Sequence, residues 1–265
     1  MNYVDAHLHL DTVTWDNLEQ MYMSGIREIV SPVHLAAAKP VHWQTIVEMW
    51  DYLLEVQFAR AEKAFIKTRA MIGISMVSTP ADNDSALFEL LPKYLRRPDV
   101  VAIGEIGLEP GSGTCKDLAY QEKLVKAQLE IAKREGVCVD FHVPNPPPQK
   151  REFTQRILDI CGACGMPLNK VAIDHCSDAN IDLVLKAGAQ AAITVQPFRG
   201  MTPSLAAEII VKNGFERIMI DSDFSGLPSD HLAVPKTALA LKRLGVPESD
   251  IEKVCALNAK SFYGF

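Results

Sequence analysis

The chain lacks any long apolar run and any excess of positive charge. A membrane-spanning helix needs about 18 consecutive apolar residues, and no run among the 265 residues approaches that length. Lys and Arg total 27 against 33 Asp and Glu, for a net charge of −6, so the chain as a whole attracts neither nucleic acid nor an anionic membrane. A local basic patch is compatible with this balance. Because no signal-peptide pattern precedes the first apolar strand, we expect a soluble cytoplasmic protein.

The six cysteines lack the dense spacing of a disulfide framework, so we expect reduced thiols. Cys161 and Cys164 form a single CxxC near the end of a predicted helix. Structural zinc sites and redox sites of this kind need a second pair or a defined fold context. Ordinary packing is therefore the favoured interpretation of these two thiols.

Apolar, β-branched runs alternate with longer amphipathic stretches along the whole chain, which is the pattern of repeated βα units. One such stretch, Tyr120–Glu135, has helical periodicity and a stop signal at Gly136. Eight strands are predicted, each followed by a helix: Val4–Leu10, Glu28–Val33, Ala70–Val77, Val100–Leu108, Val137–Val143, Lys170–His175, Ala191–Gln196 and Arg217–Asp223. This count favours a regular or slightly distorted (β/α)8 TIM barrel, although a doubly wound open sheet gives the same alternation.

No linker, composition shift or low-complexity tract divides the sequence, so residues 1–265 are expected to form one domain. The crossover after the second strand, from about residue 31 to residue 67, is unusually long. Such loops line the active-site rim of a barrel, so the segment is either a lid over the site or a longer outer helix. His34 and His42 lie in it and are candidate substrate contacts.

Residue types that bind metals stand at the C-terminal ends of five predicted strands. They are His7 and His9 near the end of the first, Glu105 late in the fourth, His142 near the end of the fifth, His175 at the end of the sixth, and Asp221 and Asp223 at the end of the eighth. Side chains two residues apart on a strand point the same way, and the C-terminal strand ends of a barrel converge on one pocket. Imidazole and carboxylate together suit zinc, manganese, iron or nickel. The sequence therefore predicts a metal centre.

Several segments resemble the TatD-type hydrolases of the amidohydrolase superfamily, nearly from end to end: DAHLHL, AIGEIGLE, QEKLVKAQLEIAKREGVCVDFHV, IDHCS, MIDSDFS and NAKSFYGF. The resemblance implies a barrel enzyme that hydrolyses its substrate with a metal-activated water. It also implies two divalent ions, one held by His7, His9, Glu105 and Asp223 and the other by Glu105, His142 and His175. Glu105 would bridge the ions, and Asp223 would also serve as the general base. Asp221 is expected to orient a ligand histidine.

The rim departs from the family pattern in ways that bear on the substrate. Nuclease members usually carry an Arg two residues after the fifth-strand His, whereas here Pro144 and Asn145 follow Val143. The family's Asp after the fourth-strand Glu is replaced by Glu109. Arg199, after the seventh strand, is a candidate contact for an anionic substrate. His231 is expected to be a surface or packing residue.

Affinity for a polyanion needs cationic contacts, and few stand beside the predicted metals. The favoured function is therefore hydrolysis of a small ester, amide, lactone or phosphoester. The first alternative is a TatD-type deoxyribonuclease that cleaves phosphodiesters, with exonucleolytic cleavage from an end as one form of this activity. The second is a metal-binding barrel that has lost its chemistry.

Overall fold

A parallel sheet of eight strands in chain order forms the centre of the computed structural model, which describes residues 1–33, 40–79, 85–111 and 115–265. The strands are β1 (Tyr3–Asp5), β2 (Ile26–Pro32), β3 (Lys67–Met71), β4 (Val100–Gly107), β5 (Cys138–His142), β6 (Val171–Ile173), β7 (Gln190–Thr194) and β8 (Ile218–Asp221). The edges of the sheet approach each other, because the Ala6 amide donates to the Ile220 carbonyl at 3.3 Å. The predicted (β/α)8 barrel is confirmed, and the open-sheet alternative is wrong.

Helices connect successive strands on the outside of the sheet, and three further helices follow β8. They are α1 (Trp15–Met23), α2 (Trp43–Asp51), α3 (Phe58–Lys63), α4 (Ser85–Leu95), α5 (Leu118–Glu135), α6 (Pro147–Ala163), α7 (Ile181–Ala187), α8 (Pro203–Asn213), α9 (Ala233–Arg243), α10 (Glu248–Glu252) and α11 (Asn258–Tyr263). The predicted helix at 120–135 is α5, which is capped by Asp117 and ends at Gly136 with φ of 71°. Glycine adopts this left-handed conformation without steric cost, which explains the stop.

The crossover between β2 and β3 is largely an outer helix. A π-helical segment, Tyr52–Gln57, joins α2 to α3, so the described part of the crossover is helical from residue 43 to residue 63. Ile46, Trp50 and Leu53 bury their side chains in the layer between helices and strands. This arrangement agrees with the outer-helix alternative for residues 43–63, while residues 34–39 lie outside the described part of the chain.

The first strand is shorter than predicted, and this changes how His7 and His9 are positioned. Regular pairing ends at Asp5, and the following residues bond irregularly to both neighbours. The Leu8 amide donates to Val30 O at 3.2 Å, and the His9 amide donates to Phe224 O at 2.9 Å. Two bonds to different partners therefore hold this segment, rather than the alternation of one strand.

The interior of the barrel is filled mainly by small side chains and methionines, including Ala102, Ala172, Ala192, Met71 and Met219. The C-terminal helix closes the bottom of the barrel, where Tyr263 is buried. Its hydroxyl donates to Asp140 Oδ2 at 3.2 Å. The bottom closure is thus bonded to β5, the strand that carries His142 at its other end.

All six cysteines are free thiols, which agrees with the expectation from their spacing. Cys161 is fully buried at the end of α6, and burial raises the pKa of its thiol to about 12. Among the described residues, no helix is both long enough and apolar enough to cross a membrane.

Asn258 provides a test of how the C-terminal helix is attached. Its Nδ2 donates to Phe215 O at 2.8 Å and to Ile218 O at 2.6 Å, at the start of β8. Asn258→Ala leaves both carbonyls without this donor, and we expect it to lower the free energy of unfolding by about 1–3 kcal/mol in denaturant titrations. Asn169→Ala, at an exposed site, is the matched control. Equal stability of the two variants would contradict this account of the closure.

Candidate metal centre

The structure brings all six predicted ligands to the C-terminal end of the barrel. Five of them line one cavity of about 170 Å³: His9, Glu105, His142, His175 and Asp223. His7 lies beneath the cavity and is 1% exposed. Its ring centroid is 5.2 Å from that of His9 and 6.4 Å from that of His175. Residues separated by more than two hundred positions thus share one site, as the strand-end argument predicts.

Glu105 is common to two groups of ligand atoms that are close enough to hold an ion. One group consists of His7, His9 and Glu105, and the other of Glu105, His142 and His175. Within the second group, Glu105 Oε1 lies 2.9 Å from His142 Nδ1 and 3.5 Å from His175 Nε2. The two imidazole nitrogens are themselves 3.0 Å apart. This is the partition expected of a carboxylate that bridges two ions.

His7 is held from below by Asp174, a carboxylate for which no sequence pattern predicts a role. Asp174 Oδ2 is 2.6 Å from His7 Nδ1, which leaves His7 Nε2 facing Glu105 Oε2 at 3.9 Å. Asp174 also accepts a hydrogen bond from Thr194 Oγ1 at 2.7 Å, and Thr194 Oγ1 lies 2.8 Å from His175 Nδ1. One buried carboxylate therefore orients two ligand histidines, one directly and one through a hydroxyl.

His142 is held in the same way by Glu109. Glu109 Oε2 lies 3.1 Å from His142 Nε2, on the side of the ring opposite Glu105. Glu109 stands where the family pattern has an Asp, so its position carried a signal that could have identified it. An acidic residue at that place can orient the ligand histidine whether it is Asp or Glu.

Asp223 joins the cluster through His9 and Gln196. Its Oδ1 is 3.1 Å from His9 Nε2, and Gln196 Nε2 donates to its Oδ2 at 2.9 Å and to its main-chain carbonyl at 2.8 Å. Asp223 and His175 both have left-handed backbone conformations, with φ of 39° and 56°. Such strain persists where the surroundings enforce it and is frequent at functional sites.

The ionisation of these groups follows from burial and pairing. Burial raises the pKa of a carboxyl group, but hydrogen bonds from His142 and His175 outweigh burial and hold the pKa of Glu105 well below its usual range. Burial lowers the pKa of His142, but its hydrogen bonds with Glu105 and Glu109 outweigh burial and raise the pKa to about 9. Burial and the neighbouring Asp174 raise the pKa of Asp140 well above its usual value.

The residues present fit divalent cations. Among the described residues, no group forms a hydrogen bond with His7 Nε2, although this atom is buried. Buried polar atoms are nearly always satisfied, and here His9 and Glu105 supply further nitrogen and oxygen ligands around it. Mixed imidazole and carboxylate sites of this kind take zinc, manganese, iron or nickel.

The other candidate residues occupy different places. Arg199 lines the metal cavity. His42 is exposed at the start of α2 and does not line it, and His34 lies outside the described residues. Asp221 is fully buried, yet among the described residues it forms no hydrogen bond to a histidine. The orienting role expected of Asp221 is filled by Asp174 instead.

His231 behaves as expected of a packing residue. Its Nε2 lies 2.7 Å from Gln20 Oε1, and its ring packs edge-on against Phe224 with centroids 5.5 Å apart. His231 thus joins α1 to the segment that follows β8.

Comparison with known proteins agrees with this geometry. The family model described as TatD related DNase matches residues 4–264. An uncharacterized metal-dependent hydrolase of Methanocaldococcus jannaschii is 33% identical over 261 residues, 98% of this chain and 99% of that protein. The crystal structure of a TatD-like protein from Archaeoglobus fulgidus has a TM-score of 0.80 and 28% identity, covering 99% of this chain and 100% of that one. A TatD homologue from Escherichia coli, at 18% identity, shares the fold with a TM-score of 0.69 over 99% of this chain and 98% of its own.

Glu109→Gln tests whether this carboxylate orients His142. The variant keeps the size of the side chain but loses the charge that fixes the ring, so we expect divalent-cation affinity to fall about 10- to 100-fold. Competition with a chromophoric chelator measures the affinity. Glu130→Gln, which removes an exposed partner of Lys133, should leave it unchanged. Equal affinities of the two variants would remove Glu109 from the site.

The raised pKa of His142 predicts how cation binding depends on pH. In the metal-free protein His142 keeps its proton up to about pH 9, whereas a ligand imidazole must be neutral. Zinc affinity should therefore rise between neutral pH and about pH 9, with release of protons on binding. Chelator competition and calorimetry in two buffers of different ionisation enthalpy measure both effects. An affinity that is constant over this range would contradict the assignment of His142.

Proposed function

The chain belongs to the TatD related DNase family, and from this membership and the geometry of its site we propose that it hydrolyses a small ester, amide, lactone or phosphoester with two divalent ions. The general class of the enzyme, a metal-dependent hydrolase, follows from the family and from the similar protein of Methanocaldococcus jannaschii. This description sets aside the alternative of a barrel without chemistry. The observation that carries the proposal is the pair of ligand groups that share Glu105.

His7, His9, Glu105 and Asp223 would hold one ion, and Glu105, His142 and His175 would hold the other. When bound, such ions lower the pKa of water toward 7 and polarise the carbonyl or phosphoryl oxygen of the substrate. Glu105 suits the shared position because its two oxygens face different histidines: Oε1 faces His142 and His175, and Oε2 faces His7.

Asp223 is the residue suited to accept a proton from the attacking water. Burial raises the pKa of its carboxyl group, but the hydrogen bond with His9 outweighs burial and lowers the pKa below its usual value. Asp223 is therefore ionised at neutral pH. Gln196 binds both its side chain and its carbonyl, so the carboxylate is fixed in orientation before a substrate arrives.

The shape and charge of the rim support a small substrate. The metal cavity measures about 170 Å³, and a neighbouring cavity of about 270 Å³ shares His175 and Arg199 with it. Among the described residues that line the two cavities, the Lys and Arg side chains are Lys150 and Arg199 alone. Binding along a nucleic-acid strand draws on several phosphate contacts, and two cations in pockets of this size supply few of them.

A nuclease is the second candidate, and the description of the family supports it. Hydrolysis of a phosphodiester uses the same ligands and the same proton acceptor. Arg199 would then contact a phosphate beside the scissile bond.

The proposed function is tested with Asp223→Asn in the zinc- or manganese-loaded protein. We expect the variant to stay folded while turnover falls by about two to four orders of magnitude, because it removes the proton acceptor. Rates are measured on a panel of esters, lactones, amides and phosphate esters beside single-stranded DNA. Asp182→Asn, an exposed carboxylate paired with Arg151, is the control and should retain full turnover.

The same panel separates the two candidates. Hydrolysis of a small substrate that disappears in Asp223→Asn supports the proposal. Robust, salt-sensitive degradation of DNA that disappears in the same variant would instead establish the nuclease. Metal analysis accompanies both assays. A protein that retains no divalent ion after incubation with zinc or manganese would refute the metal centre itself.

A further inference from the structure

The cavity beside the metal centre differs from it in charge. It measures about 270 Å³ and opens among the loops that follow β5, β6 and β7. The metal cavity contains the carboxylates Glu105 and Asp223, whereas no Asp or Glu is among the described residues that line its neighbour. The neighbour contains Lys150, which the metal cavity lacks, and it shares Arg199 with the metal cavity. Two cavities of opposite character thus share a wall formed by His175 and Arg199.

Lys150 is an unusual residue for this position. It lies near the start of α6, yet it is only 5% exposed. Its ammonium group donates to the main-chain carbonyl of His175, and among the described residues no carboxylate forms an ion pair with it. Burial lowers the pKa of this ammonium group, Cys176 and the carboxylate of Asp174 raise it in part, and the charge of Arg199 lowers it again. Charged side chains are almost never buried without a counter-charge in contact with them, and the described residues that line the cavity offer Lys150 none.

Arg199 adds a second positive charge at the mouth of the same cavity. It follows β7 and is exposed. No carboxylate among the described residues forms an ion pair with its guanidinium. Lys150 and Arg199 line the same cavity. Two neighbouring cations repel each other. An anion bound between them would offset this repulsion and supply the counter-charge.

Near this cavity, at the start of α6, the main chain offers few amide donors for an anion, so side chains would have to bind it. Proline occupies positions 146–148 at the beginning of α6, and proline has no amide hydrogen to donate. The first turn of the helix is therefore deprived of donors that often bind anions. Around the cavity, Asn145 and Gln196 supply neutral polar groups, and Met201 and Leu205 supply apolar surface.

We propose that this cavity is a subsite for an oxyanion of the substrate, either a carboxylate or a phosphate, which Lys150 and Arg199 bind while the scissile bond lies at the adjoining metal cavity. The inference rests on the proposed function and narrows it: the substrate is a small molecule with an anionic group next to the bond that is cleaved. Lys150 and Arg199 are then residues that determine specificity, and they take no part in proton transfer.

Direct binding of two simple anions tests the subsite separately from hydrolysis. Inorganic phosphate and glutarate are titrated calorimetrically into the metal-loaded protein and into the same protein stripped with a chelator. We expect at least one of them to bind both forms, with affinity about tenfold or more weaker in Lys150→Met and also weaker in Arg199→Met, because each loses a charged hydrogen bond. Lys253→Met, an exposed partner of Glu216, should match the wild type. The anion that binds more tightly identifies the chemistry of the substrate group.

Several results would overturn the proposal. Affinity for both anions that is unchanged in Lys150→Met and Arg199→Met would leave the subsite without support. If Lys150 only holds the His175 carbonyl in place, Lys150→Met will lower metal affinity without a selective loss of anion binding. Arg199→Met decides the matter if Lys150→Met fails to fold, because Arg199 is exposed.

A pair of matched substrates gives the second measurement. The 4-nitrophenyl ester of butyric acid is neutral, and the mono-4-nitrophenyl ester of glutaric acid ends in a carboxylate. We expect kcat/KM for the charged ester relative to the neutral one to fall about tenfold in Lys150→Met, mostly through KM. An unchanged ratio would contradict the carboxylate form of the proposal. Lys150-dependent anion binding in a protein that hydrolyses nothing would refute the proposed function and keep the subsite, so the two fail separately.

Discussion

Buried negative charge is the constraint on which the upper half of the barrel depends. Seven carboxyl groups meet four imidazoles there: Asp5, Glu105, Glu109, Asp140, Asp174, Asp221 and Asp223 around His7, His9, His142 and His175. A buried carboxylate without a partner is strongly unfavourable. Protonation of some carboxyl groups removes part of the excess negative charge. Burial raises the pKa of Asp5 to about 7, and it also raises the pKa values of Asp140 and Asp221. Divalent cations would compensate the remainder, which makes cation binding a consequence of the charge balance of the fold.

The compensation is arranged in two levels. In the lower level, Tyr263 donates to Asp140, and Asp140 Oδ1 lies 3.8 Å from His7 Nδ1, which Asp174 contacts. The closure of the barrel bottom is therefore connected with the orientation of a ligand. In the upper level, Glu105 faces the cavity with His142 and His175. Groups in the lower level fix the directions of the imidazole rings, and groups in the upper level present the free ligand atoms. Substitutions of the lower-level residues should therefore weaken cation binding.

The barrel could be predicted from the sequence because the patterns that indicate its strands and helices are local. Alternation of apolar runs and amphipathic helices, with eight predicted strands, is visible in windows of a few residues. The convergence of His7, Glu105, His142, His175 and Asp223 then follows from topology alone. The exact placement of His7 and His9 could not be predicted this way, because β1 ends at Asp5 and irregular bonds to Val30 and Phe224 fix the segment.

The residues that orient the ligands were harder to identify, because their role depends on distances across the barrel. Asp174 is one residue before His175 in the sequence, yet its short contact is with His7. Asp221 was expected to orient a histidine and instead lies buried without a histidine partner among the described residues. Lys150 resembles any helical lysine in sequence, and only burial and the neighbouring cavity distinguish it.

The two adjoining cavities explain why family membership fixes the chemistry and leaves the substrate open. The ligands stand at strand ends, where the barrel holds them rigidly, whereas the surrounding loops vary without disturbing the fold. Here the rim has Asn145 and a run of prolines after β5, and its cationic groups, Lys150 and Arg199, belong to a cavity of about 270 Å³. A long polyanion meets cations along an extended track. A single anionic group beside the scissile bond would need only a pocket with one or two cations, and the loops after β5, β6 and β7 form a pocket that contains Lys150 and Arg199.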